Sequence, residues 1–184
     1  MAHLLLYIIC ALIDECMMIW IPNSYLVHSL LFIPNLAFCA MVLTVRQFSW
    51  LDKCLFALGC GMIYDFCFAN EFLLYAIVYV IVVCLLQLWS KHMTDTIFES
   101  FVLCIMTIFV KDLLVYCYMS FYRLTYLSLI DWAQRYELLT LLGNGILVIV
   151  LVMFIRMKED YLKMKARRIR KGEKLEWFRL KSKE

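Results

Sequence analysis

Apolar residues in this chain fall into roughly six runs, each near the ~20 residues that a bilayer-crossing helix needs. The runs lie near 3–22, 26–46, 54–70, 72–90, 97–119 and 137–156. Hydrophobic residues make up 65% of the 184, and the mean hydropathy is +0.83, outside the range of soluble globular chains. Five Gly and two Pro are all that remain to shape the connections, so these must be short. The pattern predicts an all-α integral membrane protein with six transmembrane helices in residues 1–156, followed by a basic cytoplasmic tail, 157–184. The first run lacks a basic leader and is interrupted by Asp14-Glu15, which predicts a retained span and not a cleaved signal.

Charge sets the expected orientation. Residues 156–184 hold 12 Lys/Arg and 5 acids, a local charge of +7, against 6 basic and 10 acidic residues before them. A basic block at the end of a span marks the cytoplasmic side. Six spans then place both termini in the cytoplasm, with Arg46, Lys53 and Lys91 on the same side and Glu71, Arg123, Asp131 and Arg135 opposite.

Polar residues inside the runs are the candidate sites, because an ionised group at bilayer depth costs about 2.5–3.5 kcal/mol on insertion scales and calls for a partner. Asp65 follows Gly59 and Gly61 in the third run, where small residues allow another helix close to the acid; it is expected either to contact a partner or to fix the bundle through Lys111 or backbone amides. Asp14 and Glu15 lie in the first run, and Pro34-Asn35-Leu36 in the second, where Pro34 predicts a kink. Lys111 and Asp112 interrupt the fifth. Neighbours on a helix point about 100° apart, so each is expected to meet a charge on another helix, with Asp14, Glu15 and Asp65 available. Asn144, between Gly143 and Gly145, predicts a tight helix contact with one interhelical hydrogen bond. Tyr116, Tyr118, Tyr122 and Tyr126 read as an outer interfacial belt, and the stretch from Arg123 to Arg135 as a connection lying on the membrane. The tail is expected to continue as a helix over 157–170, with Arg167, Arg168, Arg170, Lys171 and Trp177 meeting anionic lipid or a cytoplasmic partner.

Enzymatic chemistry finds little support. No phosphate loop, nucleophile triad or metal-ligand spacing occurs, and His3, His28 and His92 are scattered. Nothing points to a cofactor, a metal or nucleic acid. The nine Cys form no C-x-x-C pair and read as small hydrophobes.

The order of Asp14, Pro34-Asn35-Leu36, Gly61-x-x-x-Asp65 and Asn144, followed by a basic C-terminus, resembles the MreD family of bacterial rod-shape-determining membrane proteins. The outer turn Phe68-Ala69-Asn70-Glu71-Phe72 lacks the Gly usual in that family, and the richness in Cys and Tyr is foreign to it. The resemblance implies a non-enzymatic scaffold in the inner membrane that binds MreC. Through MreC it would reach MreB, RodA and the elongation transpeptidase, positioning lateral peptidoglycan synthesis. On this reading Gly59, Gly61 and Asp65 receive a partner helix, such as the MreC span. It also implies a fold like the substrate-binding subunits of energy-coupling-factor vitamin transporters, which supplies the alternative function. Such subunits carry small-x-x-x-small on their first helix, and Leu4 to Ile21 here has Ala11 as its only small residue of that kind.

Overall fold

Residues 2–20, 31–67, 73–89 and 96–181 are described by the structure, a computed structural model, with backbone alone at Ala2, Trp89, Glu159, 166–167 and 169–181. Helices α1 (Ala2–Trp20), α2 (Leu36–Val45), α3 (Trp50–Cys67), α4 (Leu74–Trp89) and α5 (Ile97–Phe121) are followed by a near-continuous helical run. That run comprises α6 (Leu129–Trp132), one π-helical turn (Ala133–Glu137) and α7 (Leu138–Lys181). No strand occurs among the described residues. Among the described residues, three helical runs are long and apolar enough to cross a membrane: His3–Trp20, Ile97–Phe121 and Leu129–Lys165. The turn at Ala69-Asn70-Glu71, Pro22-Asn23, His28 and His92 lie outside the described residues.

Local chemistry sets several helix boundaries. At the start of α5, the Thr96 hydroxyl accepts from Glu99 N at 3.2 Å, and at α6 Ser128 accepts from Asp131 N at 3.2 Å. The exit from α5 is a Schellman turn: Leu124 N donates to Met119 O at 2.9 Å and Arg123 N to Ser120 O at 3.1 Å. Arg123 takes the left-handed conformation there, at φ 56°.

The exterior is apolar, unlike that of a water-soluble bundle, and several polar groups join an otherwise apolar interior. On α1 the buried side is Tyr7, Cys10, Ala11 and Asp14, at helical spacing, while Leu5, Leu12, Ile19 and Trp20 are exposed. On α5 the buried side carries Ser100, Thr107 and Lys111 beside Leu103, Cys104 and Ile108. On the last helix it carries Thr140 and Asn144 before Val148, Leu151 and Val152. Leu and Ile outward with polar groups inward is the pattern that an apolar solvent selects. All nine cysteines are free thiols.

At the centre stands α2, packed against α1, α3, α5 and α7, with Ala37 to Val42, Thr44 and Val45 all buried. The kinked helix expected over 26–46 is not what forms in its described part; residues 26–30 lie outside the described residues. Residues 31–35 form a non-helical strip and α2 begins only at Leu36. Pro34 disfavours helical backbone at Ile33 and removes a donor from the strip, so the chain enters α2 from a non-helical approach.

Three other boundaries differ from the sequence reading. Lys53, expected in a loop, lies within α3, where its Nζ donates to Gln87 Oε1 at 2.7 Å. The last long helix starts at Leu129 in place of 137, because the Ser128/Asp131 cap nucleates it eight residues earlier. Its C-terminal part runs through Gly172 to Lys181, beyond the expected 170.

Candidate functional site

Two of the buried acids, Asp14 and Asp65, cap helices other than their own. Asp14, on α1, accepts from Leu36 N at 3.0 Å and Ala37 N at 2.8 Å, the first amides of α2. Asp65, on α3, accepts from Tyr75 N at 3.0 Å and Ala76 N at 2.9 Å, the first amides of α4. The opening turn of a helix has N–H groups without intrahelical partners and a partial positive charge. Away from water these groups need an anion or acceptor. The residue at the cap of α2, Asn35, makes no side-chain cap bond of its own. Its amide is engaged elsewhere, so Asp14 supplies the cap from a neighbouring helix.

Gly61 makes the second cap reachable. A Cβ at this position would fall 2.7 Å from Ala76 N and 2.8 Å from Tyr75 O, both backbone atoms. The missing side chain brings α4 close enough for the carboxylate one turn later to reach its amides. Gly59 has nothing within 4 Å of such a Cβ. The expectation of one shared Gly59/Gly61 face is corrected at Gly61, where the close helix is this chain's own; Gly59 faces open space. The two positions are about 200° apart around the helix, and the space at Gly61 is filled by this chain's own α4.

The non-helical strip finds its backbone partners on the last long helix. Leu31 N donates to Arg135 O at 3.2 Å, and Ile33 N to Thr140 Oγ1 at 3.4 Å. Asn35 N donates to Asn144 Oδ1 at 2.7 Å, while Asn144 Nδ2 donates to Ile33 O and to Thr140 O, each at 2.8 Å. Non-helical backbone is tolerated at bilayer depth where protein groups satisfy it in this way. Asn144 thus serves an unwound strip in place of the helix contact expected for it. Gly143 makes room for the Phe32 ring, whose Cδ2 would be 2.7 Å from an added Cβ, and Gly145 is in ordinary contact.

Lys111 completes this network. Its ammonium donates to Asn35 Oδ1, pairs with Asp112 Oδ1 at 2.9 Å, and lies 5.4 Å from the centre of the Phe38 ring. The expectation that Lys111 and Asp112 would each seek another helix is overturned. The long lysine stem folds back to its neighbour, and Asp14 and Asp65 are already occupied by amides. Glu15 is half-buried, one position off the inward face.

Next to Lys111 lies a cavity of about 320 Å³. The rings of Tyr64, Tyr75, Tyr116, Trp132 and Tyr136 line it, with Tyr64 and Tyr75 centred 4.6 Å apart and Tyr116 and Trp132 4.9 Å apart. Lys111, Asp112 and Glu137 form its charged side. Tyr116, assigned to an interfacial belt, instead donates to Leu127 O at 2.9 Å and stacks on buried Trp132. Tyr126 is 94% exposed, as a belt residue would be. The connection expected on the membrane surface is split the same way, with Leu124, Leu129 and Ile130 exposed and Trp132 turned in.

Sequence reasoning missed Glu137 and Trp132. Five residues apart, they would stand about 140° apart on an α-helix. The i→i+5 closure of the π turn brings them to nearly the same side, and both are buried. The sequence signal was the Ser128-x-x-Asp131 start, which already implies helix through this segment.

Among the tail residues, Arg168 is exposed, while the side chains of Arg167, Arg170, Lys171 and Trp177 lie outside the described residues. No protein-family model, curated protein or solved structure matches the chain.

Proposed function

We propose that this chain is a multi-pass protein of a bacterial inner membrane, with six crossings and both termini cytoplasmic. It acts as a non-enzymatic scaffold of the cell-elongation complex, binding MreC and, through it, MreB, RodA and the elongation transpeptidase. The observation that carries the reading is the joint work of Asp14, Asn35, Gly61, Asp65 and Asn144. The residues through which the sequence resembles the MreD family are the ones that hold the two interior helix starts. A scaffold needs a bundle of fixed shape, and these residues fix it without any arrangement of nucleophile and base. The pass count rests on treating the non-helical strip plus α2 as one crossing, beside α1, α3, α4, α5 and the last long helix.

The aromatic cavity favours a second reading, a substrate-binding subunit of an energy-coupling-factor transporter, which would also hold a ligand among its helices. Affinity purification of the tagged chain from native membranes in mild detergent, followed by mass spectrometry, separates the two. Co-recovery of MreC and wall-synthesis enzymes is expected. Recovery of paired ATPases with a coupling membrane subunit, and no MreC, overturns the scaffold reading.

A further inference from the structure

Among the described residues, two buried side-chain oxygens have no hydrogen-bond partner, Asp112 Oδ2 and Glu137 Oε1, and both residues line the aromatic cavity. Glu137 is 3% exposed. Leaving a buried acceptor unsatisfied costs about 1–3 kcal/mol, more when it is charged. Two such atoms around one cavity are a poor arrangement for stability alone. The π turn that carries Glu137 is a local distortion of the kind found at ligand sites.

The charge balance selects the ligand. Lys111 is committed to Asn35 and to the other oxygen of Asp112, so its cation is already matched. What remains is one oxygen of each carboxyl group, Asp112 Oδ2 and Glu137 Oε1, each in need of a hydrogen-bond donor and walled by tyrosine and tryptophan rings. Carboxylates and ring faces both attract cations, and ring faces also hold an apolar body. An anion would meet Glu137 and Asp112 head on. A volume of about 320 Å³ is at the small end for ligand pockets.

We propose that this cavity is a binding site for a small primary ammonium group carried on an apolar or aromatic body. Its nitrogen donates to Glu137 Oε1 and Asp112 Oδ2, and its body lies between the Tyr64/Tyr75 and Tyr116/Trp132 pairs. The site does not depend on the scaffold reading; it shares its cavity with the second reading, which also holds a ligand there. A free amine and the ethanolamine headgroup of a lipid present the same chemistry.

The test is calorimetric titration of the purified full chain in dodecyl maltoside with four probes. These are phenethylammonium, its neutral counterpart 2-phenylethanol, lysophosphatidylethanolamine and lysophosphatidylcholine. Saturable binding is expected for phenethylammonium or lysophosphatidylethanolamine, at least tenfold tighter than for the matched neutral or quaternary probe. Which of the two binds identifies a free amine or a lipid headgroup as the source. Glu137→Gln, eluting as the wild type does, is expected to weaken binding at least tenfold. Because the probe comparison is made on the wild-type chain, it stands even where the variant fails to fold. No saturable binding by either ammonium probe, equal binding of the paired probes, or unchanged affinity in a folded Glu137→Gln protein overturns the proposal.

Discussion

Asp65 offers the sharpest test of the cross-helix caps. In Asp65→Ala, the amides of Tyr75 and Ala76 lose their acceptor at a site where the carboxylate is 6% exposed. Each buried donor left unsatisfied costs about 1–3 kcal/mol. The lost charge at the helix N-terminus adds about 0.3–2 kcal/mol. The expected loss is therefore about 2–8 kcal/mol, enough to endanger a bundle of ordinary stability. Asp65→Asn keeps the shape and one acceptor, and should lose only about 1–2 kcal/mol, the difference of one charge-assisted bond. Unfolding by sodium dodecyl sulfate in mixed micelles, followed by tryptophan fluorescence, reads the order: wild type, then Asn, then Ala. Equal midpoints for Asp65→Ala and wild type would refute the capping argument. Equal losses for Asn and Ala would refute it too, because charge alone, not the pair of acceptor oxygens, would then matter.

Three further substitutions follow from backbone geometry. Gly61→Ala must push α4 away from atoms that would lie 2.7 and 2.8 Å from the new Cβ, at a cost of about 1–3 kcal/mol. Gly59→Ala meets nothing within 4 Å and should match or slightly exceed wild-type stability in the same titration. Arg123→Gly relieves a left-handed residue at a helix C-terminus and should stabilise by about 1 kcal/mol. A lowered midpoint for that variant would mean the Arg123 side chain contributes more than its backbone strain costs.

Sequence alone located the helices where an apolar solvent dictates them. Runs of Leu, Ile and Val near bilayer length gave α1, α4 and α5 to within a few residues. It also marked Asp14, Asn35, Asp65, Lys111 and Asn144 as residues that must have partners, since desolvating a polar group at any depth requires one. The Thr96-x-x-Glu99 and Ser128-x-x-Asp131 starts are local hydrogen-bond chemistry that the apolar runs do not register, so the last long helix begins eight residues before the expected 137.

Tertiary structure decided who the partners are. Asp14 reaches amides 22 and 23 residues away, and Asn144 reaches Asn35 109 residues back. No periodicity encodes such distances, and a backbone amide leaves no mark in the sequence as an acid's partner. Pro34 is compatible with a kinked helix or a non-helical strip. What selects the strip is a side of the last long helix bearing Thr140, Asn144 and the Arg135 carbonyl, ready to satisfy its backbone groups. Lys111 and Asp112 pair because their other candidate partners were taken, which is a property of the assembled interior. Glu137 joined them only because a π turn changed the register between the start of its helix and the inward face, a rotation that the residues themselves do not announce.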